Sequence, residues 1–412
     1  MLQVKQKRKK FKLKNKKVKK MKIETYNLNI SDWIKEWELY KFMKFNFEED
    51  LNNAINRMHR IKIKLDHYKN AYEKYIIVGN GGSVNPFYAI YSALEESNKK
   101  AFIVNSESGD LIKEVKKTCK PKETLVLFIS KSGETSSVIF NYFQFNEYKK
   151  IILTSNLNST LAKIANIDNL DLFLIPKEIS GRFSGLTETS LIPLYLLDIE
   201  YEKVIDCARK FKFKEESFKL AYFFFQSEKN NYFDLFLPIY SYRLRNFYLL
   251  ISQLIHESFG KDGKGLTVYG GFAPETQHHT NQRYFGGRDN TCSLMIFSKD
   301  KEDLNIEISS QFYELNYKGL RLKQINNIKS SQLVESEYIG TKETSIEKGK
   351  PTATIEIGVV NYYNVINLLL LLYYFAVYSS LLRDVNPFDQ PHVEYSKRKT
   401  IEFLKNGLAK TP

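Results

Sequence analysis

The amino-acid sequence predicts an α/β protein with two domains, each built around a mainly parallel sheet with helices on both faces. Short apolar runs rich in β-branched residues alternate with helical stretches after residue 70, and the same alternation restarts near residue 230. Strands that alternate with helices in this way are typical of right-handed crossover units in parallel sheets. The length of 412 residues suits two domains of this kind.

The first segment of the chain is a basic tail. Residues 1–22 contain twelve Lys or Arg and no acidic residue, so the net charge of +15 falls to +3 for the rest of the chain. The charge therefore belongs to the tail and not to a domain face. We expect a disordered extension, with contact to RNA or anionic lipid as the alternative, and we expect no nucleic-acid binding by the folded part.

The first predicted domain spans residues 23–215 and begins with helices. Two amphipathic stretches, SDWIKEWELYKFM and LNNAINRMHRIKIKL, lie between residues 30 and 70. Five compact strands bounded by Gly, Ser, Asn or Pro follow, and helical stretches separate them. Their sequences are KYIIVG, AFIVNS, TLVLFIS, KIILTS and LFLIP.

The second predicted domain spans residues 216–412 and ends in a closing helix, with the boundary in the charged segment ARKFKFKEES. YFDLFLPIYS, SLMIFS and TIEIGVV are predicted strands, and YRLRNFYLLISQLIHESFG is a predicted helix. The apolar run at residues 365–382 borders on the length of a membrane span, but Asn367 and two serines interrupt it. We therefore expect a helix buried in a soluble domain and no membrane contact.

The cysteines indicate a reducing compartment. Cys119, Cys207 and Cys292 are odd in number and widely scattered, which argues against a disulfide framework. The basic tail also lacks the apolar segment of a signal peptide. We therefore expect a cytoplasmic protein.

The first predicted strand of the alternating region ends in a glycine-rich turn, GNGGS, at residues 79–83. The backbone amides of such a turn can approach a phosphate, so Gly82 and Ser83 are candidate binding residues. A nucleotide P-loop would require a lysine that is not present. A dinucleotide-binding motif would require glycine in place of Val84 and an acidic residue where the next strand ends in Asn105. The remaining interpretation is a site for the phosphate group of a smaller ligand.

A second polar loop, FISKSGETSS, follows the strand TLVLFIS at residues 128–137. The carboxyl ends of parallel strands open on one crevice, so the two loops should face the same ligand. A plain Ser/Thr-capped helix would explain one hydroxyl group but not the clustering in both loops. The predicted phosphate ligands are the hydroxyl groups of Ser130, Ser132 and Thr135 and the backbone amides of Lys131 and Gly133.

Five motifs in this order resemble those of glucose-6-phosphate isomerases. They are GNGGS followed by ISKSGET, EISGRFSGLT, ESFGKD, TQHH, and FDQPHVEYSK. Together they extend over residues 79–397, nearly the whole folded part. The resemblance implies two sugar-isomerase-type α/β/α sandwich domains that bind a small-molecule sugar phosphate.

The activity implied by this resemblance is the reversible isomerisation of glucose 6-phosphate and fructose 6-phosphate, a step of glycolysis and gluconeogenesis that needs no cofactor. Ring opening is followed by proton transfer between C1 and C2 through a cis-enediolate, which requires a base. Glu257 matches the base of the family. Gln253, four residues earlier on the same helical face, matches a glutamine that contacts the sugar. Arg182 matches the cation that holds the charge of the enediolate.

Opening of the sugar ring requires a further acid–base group. His278 follows Glu257 by twenty-one residues and matches the ring-opening histidine of the family, with His279 as the alternative. In the family this histidine comes from the neighbouring subunit, so the resemblance implies a homodimer. The six histidines include no His-x-His pair with a following Glu, and we predict no metal site.

The last motif supplies three further candidates. Lys397 matches a lysine that assists ring opening. Gln390, Glu394 and Lys397 are spaced by four and three residues, which predicts one shared helical face. Glu394 would then orient Lys397, and Gln390 would reach the phosphate end of the substrate.

Two departures from the family pattern bear on substrate range. His392 replaces a Gly or Ala, and Ser180 replaces the first glycine of Gly-Gly-Arg. One alternative is a bifunctional glucose/mannose-6-phosphate isomerase. Another is a non-catalytic sugar-phosphate sensor, but a sensor would be expected to lose Glu257, His278 or Lys397, and all three are present.

Overall fold

The computed structural model describes residues 21–299 and 302–408 of the chain, so the predicted tail lies outside the described residues except for its last two positions. The described part contains two five-stranded sheets and one two-stranded ribbon. The strands are β1 (Lys22–Tyr26), β2 (Lys74–Val78), β3 (Lys100–Val104), β4 (Thr124–Ile129), β5 (Lys149–Thr154), β6 (Asp171–Leu174), β7 (Asp234–Tyr240), β8 (Thr267–Phe272), β9 (Thr291–Lys299), β10 (Asn316–Tyr317), β11 (Leu320–Arg321) and β12 (Thr352–Val359).

Helices surround both sheets. They are α1 (Trp33–Tyr40), α2 (Asn46–Glu49), α3 (Leu51–Ala71), α4 (Asn85–Leu94), α5 (Gly109–Thr118), α6 (Ser136–Tyr142), α7 (Thr160–Ile167), α8 (Glu188–Leu196), α9 (Tyr201–Arg209), α10 (Lys214–Lys229), α11 (Phe247–Ser258), α12 (Thr280–Gly286), α13 (Ser330–Glu347), α14 (Tyr362–Leu382) and α15 (Val393–Leu408).

The first sheet is entirely parallel and has the strand order β3-β2-β4-β5-β6. All five strands predicted for the first domain are present. Successive residues of a strand face opposite sides of the sheet. In β2, Ile76 and Val78 accordingly join the core under α5, α6 and α7, whereas Tyr75 and Ile77 join the larger core on the other side. The predicted α/β architecture with both faces covered is confirmed.

The second sheet has the order β1-β12-β9-β7-β8 and is parallel except for β1, which runs antiparallel to β12. Strands β1 and β8 were not predicted from the sequence. Both are edge strands that are only partly buried, and β8 contains two glycines, which weaken a strand pattern. The domain division between residues 215 and 216 stays a prediction. It assigns β1 to the first domain, although β1 pairs in the second sheet.

The apolar helix α14 lies inside the fold. It is long and apolar enough to cross a membrane, but most of its length is buried in the protein. Its polar side chains are buried with it. Asn367 donates a hydrogen bond to the Tyr363 carbonyl (2.6 Å), and Ser380 donates to the Ala376 carbonyl (2.8 Å). The structure therefore agrees with the prediction of a buried helix.

The last helix, α15, is exposed along its whole length. Its large apolar side chains face solvent in the isolated chain, including Tyr395, Phe403 and Leu408, which are 63%, 73% and 64% exposed. The segment between α14 and α15 nevertheless reaches back to the body of the protein, where it meets the candidate site.

Candidate active site

The candidate site lies where the loops at the carboxyl edge of the first sheet meet helix α11. The turn after β2 approaches the segment after β6 closely. A β-carbon on Gly82 would lie 2.3 Å from the carbonyl carbon of Gly181, so no larger residue fits between the two backbones. Ser184 also donates a hydrogen bond to the Gly82 carbonyl (3.0 Å). This contact brings the GNGGS turn beside Arg182.

Arg182 is the buried cation of the site, with 1% of its surface exposed. Its Nη1 donates to Glu257 (3.0 Å) and to Gln390 (2.9 Å), and its Nε donates to Ser258 (2.9 Å). Its Nη2 donates to the carbonyls of Pro387 (2.6 Å) and Asp389 (2.9 Å).

Burial lowers the pKa of the Arg182 guanidinium, and the Glu257 carboxylate acts in the opposite direction. An arginine remains charged at neutral pH even so. The guanidinium is thus a fixed positive charge whose direction is set by five hydrogen bonds.

Glu257 lies in the last turn of α11 and accepts hydrogen bonds on both carboxylate oxygens. Gln253 Nε2 donates to Oε1 (2.9 Å) and Arg182 donates to Oε2 (3.0 Å). The contact between Gln253 and Glu257 agrees with the i, i+4 spacing in the sequence. The Glu257 side chain is 29% exposed, so a ligand can reach the carboxylate from solvent.

The FISKSGETSS loop turns sharply at Gly133. This residue has φ +68°, and a β-carbon there would lie 2.1 Å from Ser159 Oγ, so the position requires glycine. Ser130 is buried beneath the turn, accepts from the Gly133 amide (3.1 Å) and bonds to the Thr135 hydroxyl (2.8 Å). Ser132 is exposed at the rim and accepts from the Glu134 amide (3.2 Å). Contact of these residues and of Ser83 with phosphate stays a prediction.

The side chain of Lys131 does not point into solvent. Its Nζ donates to the Ile179 carbonyl (2.8 Å), which ties the loop to the segment that leads into Arg182. Burial lowers the pKa of Lys131, while the Glu178 carboxylate acts to raise it. The sequence predicts a role for the backbone amide of this residue. In the structure its side chain links the FISKSGETSS loop to the segment after β6.

The prediction that Gln390, Glu394 and Lys397 share a helical face is wrong for Gln390. Helix α15 begins at Val393, so Gln390 lies before it. Gln390 precedes Pro391, and a residue before proline is disfavoured in helical conformation. Its side chain accepts a hydrogen bond from Arg182.

Lys397 lies on the exposed helix α15. Its Nζ pairs with Glu394 (2.7 Å), as predicted, and the two side chains are 64% and 53% exposed. About one turn of helix separates Lys397 from the segment that contacts Arg182. Its role in ring opening stays a prediction.

His278 lies near the carboxyl ends of the strands of the second sheet, whereas Glu257 lies near their amino ends. It is exposed and follows β8, next to Gln277, which donates to the Glu337 carbonyl (3.0 Å). Helix α11 starts near the carboxyl end of β7 and runs back over the sheet, so Glu257 lies near the amino ends of the strands. Twelve residues of helix span about 18 Å. One chain therefore does not bring the two residues together.

His392 does not crowd the site. Its Nε2 lies 3.3 Å from Asp262 Oδ1, and the side chain is 68% exposed. The Ser180 hydroxyl, in contrast, is buried beside Gly181 and has no hydrogen-bond partner among the described residues. The two departures from the family pattern thus lie in different environments.

Two residues that support the site were not predicted from the sequence. Lys261 is buried, and its Nζ donates to the Asn386 and Asp389 carbonyls (2.7 and 2.8 Å) and to Asp389 Oδ1 (2.7 Å). It thereby holds the segment that contacts Arg182, and its place within ESFGKD was an available signal. Asn85 Nδ2 donates to Gln253 Oε1 (2.9 Å), and no motif contained it.

The arrangement is suited to proton transfer next to a developing negative charge. A carboxylate that solvent reaches lies against a buried, fixed guanidinium, and both lie beside loops rich in hydroxyl groups and backbone amides. A carboxylate of this kind can accept a proton from carbon. The guanidinium can stabilise an oxyanion that appears only in the transition state.

The chain is similar to known proteins in sequence and in fold. No protein-family model matches the chain. A glucose-6-phosphate isomerase from Methanocaldococcus jannaschii is 27% identical over 382 residues, which cover 87% of this chain and 92% of that protein. A solved structure of a hypothetical protein from Thermus thermophilus has a TM-score of 0.79 at 22% identity and covers 93% of this chain and 100% of that one.

A solved glucose-6-phosphate isomerase from Chlamydia trachomatis has a TM-score of 0.71 at 18% identity and covers 87% of this chain and 74% of that one. At this identity the structural likeness establishes the fold. The sequence relatives that carry the name glucose-6-phosphate isomerase are similar to this chain over most of its length. The resemblance to glucose-6-phosphate isomerases that the motifs indicated is therefore confirmed along most of the length of this protein.

Proposed function

We propose that this protein is an aldose–ketose isomerase that interconverts glucose 6-phosphate and fructose 6-phosphate. The observation that carries the proposal is the contact between the accessible carboxylate of Glu257 and the buried guanidinium of Arg182 (3.0 Å). Isomerisation requires a base and a stabiliser of the enediolate at one place, and this pair supplies both. The names of the sequence relatives support the same reaction.

The proposed reaction starts with the phosphate held by the two polar loops. The residues assigned to this part are Gly82, Ser83, Ser130, Lys131, Ser132 and Thr135. Gln253 flanks the carboxylate, and we assign it to the sugar hydroxyl groups. Gln390 flanks the guanidinium, and we assign it to the phosphate end of the substrate. Glu257 then takes a proton from C2 of the open aldose and returns it to C1, while Arg182 stabilises the enediolate oxygen.

Ring opening in this proposal uses His278 of the partner subunit in a homodimer, and Lys397 assists it. Support comes from the position of His278 at the other edge of the sheet from Glu257. An intact site would then require two chains. The exposed apolar side chains of α15 are consistent with a surface that another subunit covers.

We also propose that the reaction takes place in the cytoplasm. The cysteines support this, because Cys119, Cys207 and Cys292 are all free and Cys119 and Cys292 are buried. Buried unpaired cysteines are typical of proteins from reducing compartments. The proposed chemistry needs only side chains and water.

The test is a coupled assay with fructose 6-phosphate, in which an NADP-linked dehydrogenase oxidises any glucose 6-phosphate formed. We expect turnover by the wild type and a loss of about a thousandfold or more in kcat for Glu257→Gln, because the amide cannot accept the proton. Unchanged thermal unfolding of the variant is the control. Tight binding of the sugar phosphate by a wild type without turnover would contradict the proposal and favour a sensor.

A second assay, in which fructose 6-phosphate is the detected product, addresses the bifunctional alternative. Mannose 6-phosphate replaces fructose 6-phosphate as the starting sugar, and formation of fructose 6-phosphate is followed. We expect turnover well below that with glucose 6-phosphate. Equal rates with both epimers would identify a bifunctional isomerase.

A further inference from the structure

A chain of two side-chain amides connects helix α4 to the carboxylate of Glu257. Asn85, the first residue of α4, donates from Nδ2 to Gln253 Oε1 (2.9 Å), and Gln253 donates from Nε2 to Glu257 Oε1 (2.9 Å). Gly81 closes over the same amide, because a β-carbon there would lie 3.1 Å from Gln253 Nε2. The orientation of Gln253 is thus constrained from two sides.

The direction of these hydrogen bonds follows from the chemistry of the groups. An ionised carboxylate only accepts, whereas an amide has one accepting and one donating end. Gln253 must therefore turn its amino group toward Glu257, which leaves its carbonyl oxygen facing Asn85. If residue 85 only accepted hydrogen bonds, the side-chain amide of Gln253 would rotate so that its amino group faced residue 85. Its carbonyl oxygen would then face the carboxylate, and the two oxygens would repel each other.

We infer that Asn85 is a positioning residue for the proposed base: it holds Gln253 with the amino group toward Glu257 and so fixes the carboxylate beside Arg182. The inference rests on the proposed function, in which Glu257 carries the proton. Asn85 itself acts through Gln253. Its contribution should therefore appear in turnover and in the pH profile more than in substrate affinity.

The pH dependence has a defined direction. Among the described residues, Glu257 interacts with the charge of Arg182 from the facing loop and with His256 from its own helix, and Asp389 acts on Arg182. A hydrogen bond donated to a carboxylate favours its charged form. Loss of the Gln253 bond therefore makes Glu257 easier to protonate and moves the acidic limb of the kcat/KM profile to higher pH.

The central variant is Asn85→Asp, which keeps the shape of the side chain but removes the donor. An acidic residue in the first turn of a helix is favourable, so we expect α4 to stay folded. Asn85→Leu removes the polar contact without adding charge. Asn98→Asp is the matched control. Asn98 is exposed in the loop between α4 and β3, and the substitution adds the same charge to the same domain.

We expect kcat to fall roughly tenfold or more for Asn85→Asp and less for Asn85→Leu, the size expected for a lost hydrogen bond to a charged group. KM should change little, and the acidic limb should move to higher pH for both variants but not for Asn98→Asp. A KM increase at unchanged kcat would overturn the inference, because Asn85 would then contact the substrate. An unmoved pH profile would also overturn it.

A second readout is independent of turnover. A water-soluble carbodiimide modifies protonated carboxyl groups, and peptide mass spectrometry quantifies the modification at Glu257 as a function of pH. The midpoint should lie at higher pH in Asn85→Asp than in the wild type and the control. A shifted midpoint in a protein that shows no isomerisation would remove the proposed function but leave the positioning role. An identical midpoint in all three proteins would overturn the role of Asn85.

Discussion

Arg182 illustrates how one residue organises the site. Its hydrogen bonds join the helix end that carries Glu257 and Ser258 to the segment that contains Pro387 and Gln390. A buried charge is tolerated only when its polar groups are paired. The contacts that stabilise the guanidinium therefore also fix the proposed base, and the site is assembled before any substrate binds.

Tyr373 supports the segment that follows Arg182. This residue of α14 is fully buried, and its hydroxyl accepts a hydrogen bond from the Gly185 amide (2.9 Å). We expect Tyr373→Phe to lower the free energy of unfolding by about 1–3 kcal/mol, because the Gly185 amide loses its buried partner. Urea denaturation at neutral pH measures this loss. Tyr242→Phe is the control, since the Tyr242 side chain is 58% exposed.

The same pair of variants has a defined pH dependence. Burial raises the pKa of Tyr373 above its ordinary value of 10.0. Below pH 10 the tyrosine is protonated in the folded and the unfolded states, so its contribution is fully present. Above pH 10 only the unfolded state ionises readily, and the contribution is lost as the pH rises. The stability difference between wild type and Tyr373→Phe should therefore shrink as the pH rises above about 10. A constant difference would contradict this.

At the scale of elements, the site depends on contacts among three loops. The turn after β2 and the segment after β6 touch at Gly82 and Gly181, and Lys131 ties the loop after β4 to the same segment. All three loops follow strands of one parallel sheet, so the sheet positions them at a common edge. Small residues at the contact let the loops reach α11.

Gly82→Ala tests this contact. The added β-carbon would overlap the Gly181 backbone, so the loops must separate and shift Arg182. We expect kcat/KM to fall at least roughly tenfold, with a stability loss of about 1–3 kcal/mol. Gly109→Ala is the matched control, because no atom lies within 4 Å of a β-carbon at that position. Equal activity of the two variants would show that the loop contact is not needed.

At the scale of the whole molecule, the second sheet separates two groups that the proposed reaction requires. Glu257 ends a helix that has run back over the sheet, whereas His278 follows a strand at the carboxyl edge. In a homodimer with two-fold symmetry, each site would combine Glu257 of one chain with His278 of the partner subunit.

Subunit mixing tests this arrangement. Glu257→Gln and His278→Ala should each be inactive alone. An equal mixture that exchanges subunits should recover about a quarter of wild-type activity, because half of the dimers are mixed and each mixed dimer has one intact site. Native mass spectrometry verifies the exchange. Mixed dimers without activity would place both residues of a site in the same chain.

The amino-acid sequence by itself determined the strands of both sheets that lie in the interior, the buried helix α14 and the order of the site motifs. These features depend on periodicity and turn residues within a few positions, which a sequence displays directly. The edge strands β1 and β8 escaped prediction. The two glycines of β8 weaken its strand pattern, and β1, KIETY, contains a single aliphatic residue. The spacing that places Gln390 on a helix face fails because Pro391 disfavours helical conformation in the residue before it.

Only the tertiary structure decided which of the predicted residues meet. Arg182 and Glu257 are 75 positions apart, and Arg182 and Gln390 are 208 apart, yet Arg182 contacts both. No local pattern encodes contacts between residues so far apart in the sequence. These contacts result from the close approach of Gly82 to Gly181 and from the hydrogen bonds by which Lys261 holds the segment before α15. The separation of His278 from Glu257 likewise follows from the path of α11 across the sheet, which is a property of the packed domain.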